Sequence, residues 1–504
     1  MRKSFFCGVD IGTYESKGVI TDESMNIVAY HSCPHVMSSP KPGYAEHDAL
    51  GVWYKDLCEI TNALIEKSGI DPKDVASFGC STIAPCCLPV DKEMNPLTQA
   101  MLYGVDVRAA KEIEYLIELF GEEKILSRCG SPVTSQSAAA KILWLKNNLP
   151  EVYDKAAYFL TGTSFLTAKL TGNVVIDNYT AAAFVPAYDI TKNSYDLNFL
   201  RPICSEDKLA RCMWTNEIAG HITSDAALDT GLAEGTPVIV GTADASAEAT
   251  SAGVISVGDM LLMYGSSIFI IHVTDKPYPD KRIWTGPYLF EGTYDVSAGM
   301  STTGTLTRWF RDNFSIDLLS EEKNGGMNAY DALALEAKDV KAGSGGLIVL
   351  PYFSGERTPI NDPLAKGVIF GLNLTHTRGH VFNACMEGVG YGIGQHFEVF
   401  AENGIETKRV FAVGGGTKNE KWLQIVSDIS NMPQLLPEVS VGAAYGDAML
   451  AALGVGRFAT PEEMTSVTKI RKIVKPGNTV VYEPYRKAYA ELYKATKNLM
   501  HSAL

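Results

Sequence analysis

At 504 residues, 46% of them hydrophobic, the chain has the length and apolar content for two large domains and too many core formers for a disordered protein. A net charge of −14, with no run of Lys and Arg longer than two, excludes the basic surface of a nucleic-acid binder. No segment approaches the roughly 18 continuous apolar residues of a membrane span, and the apolar run after Met1-Arg2-Lys3 is cut at Asp10, short of a signal-peptide core. The ten cysteines include no C-x-x-C pair, so a cytoplasmic protein with reduced thiols, no membrane and no zinc is expected.

In chain order, a strand-like run at 5–9 meets Asp10-Ile11-Gly12-Thr13, and a second run at 18–21 follows almost at once. This predicts a β-hairpin with a glycine turn, not the strand-turn-helix of a P-loop. A helix is expected over 50–68, a strand over 76–79 and a helix over 109–120. The strand at 237–241 ends at Gly241-Thr242-Ala243-Asp244, where a helix rich in Ala and Ser begins. Strands at 260–263 and 269–273 flank Gly265-Ser266-Ser267 as a second hairpin, and another strand is expected over 346–350. The strand at 409–413 runs into Gly414-Gly415-Gly416 before a helix at 420–430. Gly442-Ala443-Ala444-Tyr445-Gly446-Asp447-Ala448 opens a closely packed helix, and 483–499 has the spacing of a packing helix. The alternation predicts α/β architecture. Two like hairpins half a chain apart predict a duplicated plan, with domains 1–250 and 251–504 facing across a cleft.

Each motif has a chemical reading beside a structural one. A carboxylate at a strand end, Asp10, can hold Mg²⁺, usually through water. Gly12 allows close approach of the backbone to phosphates, and turn N–H groups, with the Thr13 hydroxyl and Lys17, can cradle anionic oxygens. An ordinary hairpin turn would use the same residues. The small residues Gly265, Ser266 and Ser267 suit a β- or γ-phosphate, and the three glycines from Gly414 suit the flat face of an adenine or ribose. Asp244 is either an N-cap or a general base for an attacking hydroxyl, kept ionised by the helix N-terminus.

Together these segments resemble the FGGY family of carbohydrate kinases, which have the two-domain actin-like ATPase (ribonuclease H-like) fold. The resemblance extends to Gly43-Tyr44-Ala45-Glu46-His47-Asp48 with Trp53, to Lys141-Ile142-Leu143-Trp144-Leu145, and to Pro351-Tyr352-Phe353-Ser354-Gly355-Glu356-Arg357-Thr358-Pro359. It continues through Gly367-Val368-Ile369-Phe370-Gly371-Leu372 and Met386-Glu387-Gly388. It implies an ATP-dependent kinase for a small sugar, with ATP and Mg²⁺ bound, and a homodimer. Asp10 then corresponds to the Mg²⁺-associated aspartate and Asp244 to the catalytic base. Gly12, Thr13, Lys17, Gly265, Ser266 and Ser267 correspond to phosphate contacts, Gly304 to a further nucleotide contact, and Gly415, Gly416 and Asn419 to the adenosine site.

Within the family the pattern is most similar to xylulokinases, so a pentulose such as D-xylulose is the expected acceptor. Its pocket would use Thr82, Ile83, Tyr103, Asp106 and Arg108 with Asp244. The usual Met-His-Gly of xylulokinases is absent from Cys80-Ser81-Thr82-Ile83-Ala84-Pro85. Tyr103-Gly104-Val105-Asp106-Val107-Arg108 replaces Trp-Asn-Asp-x-Arg with one residue inserted. A lost imidazole removes one directional hydrogen bond, typically about 0.5–1.5 kcal/mol. Gluconate, ribulose, a polyol or a modified pentulose are therefore alternative acceptors, and a non-kinase actin-fold ATPase is the alternative class. Asp106 and Arg108 read equally as sugar contacts or as a mutual ion pair.

Overall fold

A computed structural model of the chain describes residues 4–439 and 441–502. The chain folds into two compact units. One runs to Val257 and includes Val273–Val296 and Val439–Lys469; the other takes Gly258–His272, Ser297–Glu438 and the residues from Ile470 onward.

The expected α/β alternation is present. Strand β1 (Phe5–Ile11) is buried at every position but Asp10, as befits a strand covered on both faces. It continues past the predicted end at residue 9, so Asp10 lies within the strand and the turn is Gly12-Thr13-Tyr14. Strands β2 (Glu15–Thr21) and β3 (Ile27–Pro34) follow as an antiparallel meander. The helix predicted over 50–68 forms in two windings. A π-helical turn, Ala49–Tyr54, is capped by Asp48, whose carboxylate accepts from the N–H groups of Leu50 and Gly51. It leads into α1 (Lys55–Ser68), which stops at Gly69 in the left-handed conformation (φ 66°). Strand β4 (Val75–Thr82) pairs parallel with β1, setting Ser81 beside Asp10. Strands β5 (Ile218–His221) and β6 (Pro237–Ile239) complete the order β5-β6-β4-β1-β2-β3, with Thr242–Ala243 along the end of β4. Helix α2 (Asp244–Ala252) begins there.

The second sheet repeats the plan. Strands β7 (Asp259–Tyr264) and β8 (Ile268–Thr274) form the predicted hairpin. Strand β9 (Tyr294–Met300) and helix α3 (Gly304–Phe314) come next. A long helix, α4 (Arg378–Glu402), precedes β10 (Arg409–Val413), which pairs parallel with β7. Helix α5 (Glu420–Ser430) matches its predicted span, and β11 (Gln434–Pro437) extends the sheet in parallel. Both sheets thus have a central strand with its hairpin partner on one side and a parallel strand on the other.

Helix α6 (Ala443–Gly454) belongs to the first unit. Small residues let it lie against the sheet with its backbone. A Cβ on Gly8 would meet Ala444 O at 2.1 Å, and one on Gly79 would meet Asp447 O at 2.7 Å. The helix approaches α2 as closely, since a Cβ on Gly446 would meet Ala247 O at 1.8 Å. Strand β12 (Ile470–Val474) and helix α7 (Glu483–Ser502) close the described chain. All ten cysteines are free thiols. No helix among the described residues is long and apolar enough to cross a membrane.

Candidate active site

Asp10 lies opposite Lys17 across the β1–β2 pair. Ser81 Oγ stands 3.2 Å from Asp10 Oδ1 and 2.7 Å from Asp447 Oδ2. One hydroxyl has one proton to give, so one of these carboxyls must carry its own. Asp447, on α6, is wholly buried. Burial, with the charges of Asp10 and Asp244 added, pushes its carboxyl well above the carboxylate range, and Asp10 is raised in the same direction.

Asp244 is the first residue of α2; Ala243 occupies the capping position. Its carboxylate accepts from the adjacent Ala245 N–H at 2.8 Å. The helix N-terminus does not keep it at an ordinary value. Burial outweighs the Ala245 N–H, Glu248 adds its charge, and the carboxyl is pushed up to about 7. Burial raises Glu248 and Asp10 as well, with Lys17 opposing both. The four carboxyls thus raise one another, and Lys17, itself 3.1 Å from Glu15, offsets this only at Asp10 and Glu248. Asp447 Oδ1 has no hydrogen-bond partner. An oxygen-rich group with surplus acid fits a hard divalent cation such as Mg²⁺. Ser81, Glu248 and Asp447 were not singled out from sequence. The one visible signal was a carboxylate inside the apolar run Ala443–Gly454.

The turn residue Thr13 places Oγ1 at 3.2 Å from the Tyr103 hydroxyl, joining the candidate phosphate turn to the candidate sugar pocket. The remaining pocket residues divide. Arg108 binds Asp106 through Nε and Nη2 at 2.9 and 2.6 Å and reaches Glu46 at 2.7 Å. Its guanidinium lies 3.8 Å from the Tyr44 ring centroid, so Asp106 and Arg108 form an ion pair with each other. Thr82 Oγ1 sits 3.1 Å from Thr163 Oγ1. Ile83 is in the core, its N–H donating to Ile11 O at 2.9 Å. Lys141 is buried and donates to the carbonyls of Tyr103 and Ser135; burial lowers it to about 8.

In the second unit, Gly265, Ser266, Gly304, Gly415, Gly416 and Asn419 all line one cavity of about 850 Å³, within the usual size of a small-molecule site. Ser267 is not among the lining residues. Gly304 opens α3 against the hairpin turn: its N–H donates to Gly265 O at 3.1 Å, and a Cβ would meet the same oxygen at 2.4 Å. The N–H groups of Thr303 and Thr305 both take Ser266 O at 3.1 Å, so this helix start holds the turn in place. The predicted glycine run is a strand end at Gly414 (φ 91°) followed by a 3₁₀ turn, Gly415–Lys418. Nothing lies within 4 Å of where a Gly415 Cβ would be, leaving its face open. Asn419 caps α5 by accepting from Trp422 N–H at 3.0 Å. Arg308, Tyr330 and Asp331 also line the cavity; no pattern in the sequence marked them.

Residues 5–250 match the FGGY family of carbohydrate kinases, N-terminal domain, and residues 260–455 match its C-terminal domain. The chain is similar to a xylulose kinase of Bacillus subtilis (strain 168), 28% identical with 98% of each chain covered. It is also similar to a gluconokinase of that strain, 27% identical over 91% of this chain and 88% of the other. Among solved structures it is similar to a xylulose kinase from Rhodospirillum rubrum, with a TM-score of 0.91 and 28% identity, covering 99% of this chain and 100% of that one.

Proposed function

The chain belongs to the FGGY family of carbohydrate kinases, and from that membership we propose that it transfers the γ-phosphoryl group of ATP to a hydroxyl of a small neutral sugar, a pentulose such as D-xylulose. In this reading residues 1–250 carry the acceptor and the base, and residues 251–504 carry the nucleotide. The carrying observation is Asp244, a partly open carboxyl at a helix start whose affinity for a proton is raised toward neutrality. A base so tuned accepts the acceptor's proton as the hydroxyl attacks. The turn N–H groups near Thr13 stabilise charge on the transferring group, which is where phosphoryl transfer gains most of its rate. Mg²⁺, held through Asp10, would supply positive charge to the phosphate oxygens when bound. Use of ATP implies a cytoplasmic place of action.

Charge near Tyr103 bears on the acceptor. An aldonate such as gluconate brings a carboxylate that needs a cation. Arg108 is already shared by Asp106 and Glu46, and Lys141 is buried and gives two of its three N–H groups to carbonyls. This supports a neutral pentulose or polyol over gluconate.

Asp244→Asn should abolish sugar-dependent ADP release while nucleotide binding survives; normal turnover in that variant would sink the assignment. An ADP-release screen over pentuloses, hexuloses, aldonates and polyols identifies the acceptor. ATP consumption with no phosphorylated sugar would instead support a non-kinase ATPase.

A further inference from the structure

His35 and His47 converge on the turn between β1 and β2. His35, just past β3, sets Nε2 at 3.0 Å from Gly12 O and Nδ1 at 2.9 Å from Asp56 Oδ2. Asp56, on the first turn of α1, also takes the Ser16 hydroxyl at 2.7 Å. His47 sets Nε2 at 3.2 Å from Thr13 O, and its Nδ1 lies 3.0 Å from Trp53 Nε1. An indole N–H only donates, so His47 Nδ1 is the bare nitrogen and Nε2 carries the proton directed at Thr13 O. Burial, with the charge of His35 added, lowers His47 to about 4 and keeps this neutral tautomer. The two rings meet edge to face, centroids 5.2 Å apart.

Gly12 O and Asp56 Oδ2 both accept, so His35 serves the two together when each ring nitrogen carries a proton, and two successive turn carbonyls are then held from the protein side. In a trans peptide the N–H points opposite to the C=O. Fixing Gly12 O and Thr13 O thus turns the N–H groups of Thr13 and Tyr14 the other way. Among the described residues, neither N–H has an acceptor. Adjacent N–H groups directed outward from a turn form an anion-binding nest.

We propose that His35, braced by Asp56, and His47, braced by Trp53, are positioning residues that aim the Thr13 and Tyr14 N–H groups at the transferring phosphoryl oxygens. This rests on the kinase function proposed for the site. It assigns a task to His47 and Trp53, which among the described residues make no hydrogen bond to Thr82, Ile83, Tyr103, Asp106, Arg108 or Asp244 and are not among the lining residues of the second-unit cavity.

The side chain at 47 can be varied by reach. Gln places an N–H near the position of Nε2, Asn only near that of Nδ1, and Leu supplies none. With the acceptor identified by the ADP-release screen, His47→Leu and His47→Asn should lower kcat about tenfold or more, because misdirected oxyanion donors act on the transition state. His47→Gln should stay within about threefold of the parent, and the KM for the sugar should move less than about twofold in all three. Circular dichroism melts establish which variants are folded. A folded Leu variant with parental kcat overturns the proposal, as does a folded Gln variant as poor as Leu. Should the Leu and Asn variants not fold, Trp53→Phe decides. It removes the N–H that fixes the tautomer along with part of a fully buried ring, so its melt is read beside its kcat, and kcat unchanged in a folded Trp53→Phe variant likewise overturns the proposal. Asp244→Asn runs alongside: if it is active the kinase reading itself fails, whereas if it is dead and the histidine variants are unimpaired only the positioning role fails.

Discussion

At Asp244 the needs of a base and the effects of burial meet. A base accepts a proton only when ionised, and enclosure pushes this carboxyl up to about 7. With Asp244 as the proposed base, protonation below that pH removes it, so kcat/KM should fall about tenfold per pH unit on the acid side. Added Mg²⁺ brings positive charge near Asp10 and should move that limb to lower pH; profiles at two Mg²⁺ concentrations measure both effects, and a profile flat from about pH 5.5 to 8 would contradict them. Glu387 makes a statement about stability instead. It accepts from Gly343 N–H, Ser344 Oγ and Asn383 Nδ2, yet burial pushes it from 4.5 up to about 7. The folded state therefore holds the proton more tightly than the unfolded chain. Its contribution is greatest below pH 4.5, declines as pH rises toward 7, and is flat above. The span corresponds to a cost on the order of 3 kcal/mol at high pH. Glu387→Gln should flatten the melting temperature against pH and exceed the parent at about pH 8. Asp10 and Asp244 were legible in the sequence because each stands beside a glycine turn or a helix start. His35 was not, since a single imidazole after a polar strand end has no periodic signature, and its meaning comes only from Gly12 O and Asp56.

Among elements, those with a strong local period were the most legible. Helix α5 has a sharp apolar face and matches its predicted span, and the β7–β8 hairpin is announced by its small turn residues. Helix α4 was missed. Gly388, Gly390, Gly392 and Gly394 weaken its helical propensity, and burial along its middle erases the apolar stripe. Those glycines serve packing: a Cβ on Gly390 would lie 2.7 Å from Ile429 Cδ1 on α5. Helix α6 shows the same logic more severely. Gly446→Ala should cost about 3 kcal/mol or more, because the new methyl would meet a backbone oxygen of α2 that has no room to shift. Since α2 carries Asp244, the loss should appear in kcat as well as in a urea melt; a variant stable and fully active would show the contact to be slack.

On the scale of the whole chain, the path between units was the least legible feature. An apolar helix such as α6 records that it is buried but not against what. Residues Val439–Lys469 return to the first unit after the chain has built most of the second. Expressed alone, residues 1–257 would lack α6 and leave the glycine face of β1 and β4 uncovered. Such a fragment should be aggregated or non-cooperative in urea, and joining residues 273–296 and 439–469 to it through linkers should restore a cooperative transition; a soluble, cooperative 1–257 would contradict this. The same return path imposes an order on synthesis. Strands β1–β4 leave the ribosome early, whereas their cover begins only at Ala443. At translation speeds of about 5–20 residues per second the interval is roughly tens of seconds. During it the nascent chain carries an apolar trough shaped for one helix that does not yet exist. A message broken before α6 therefore yields no independent half-enzyme, only a product for chaperones or proteases.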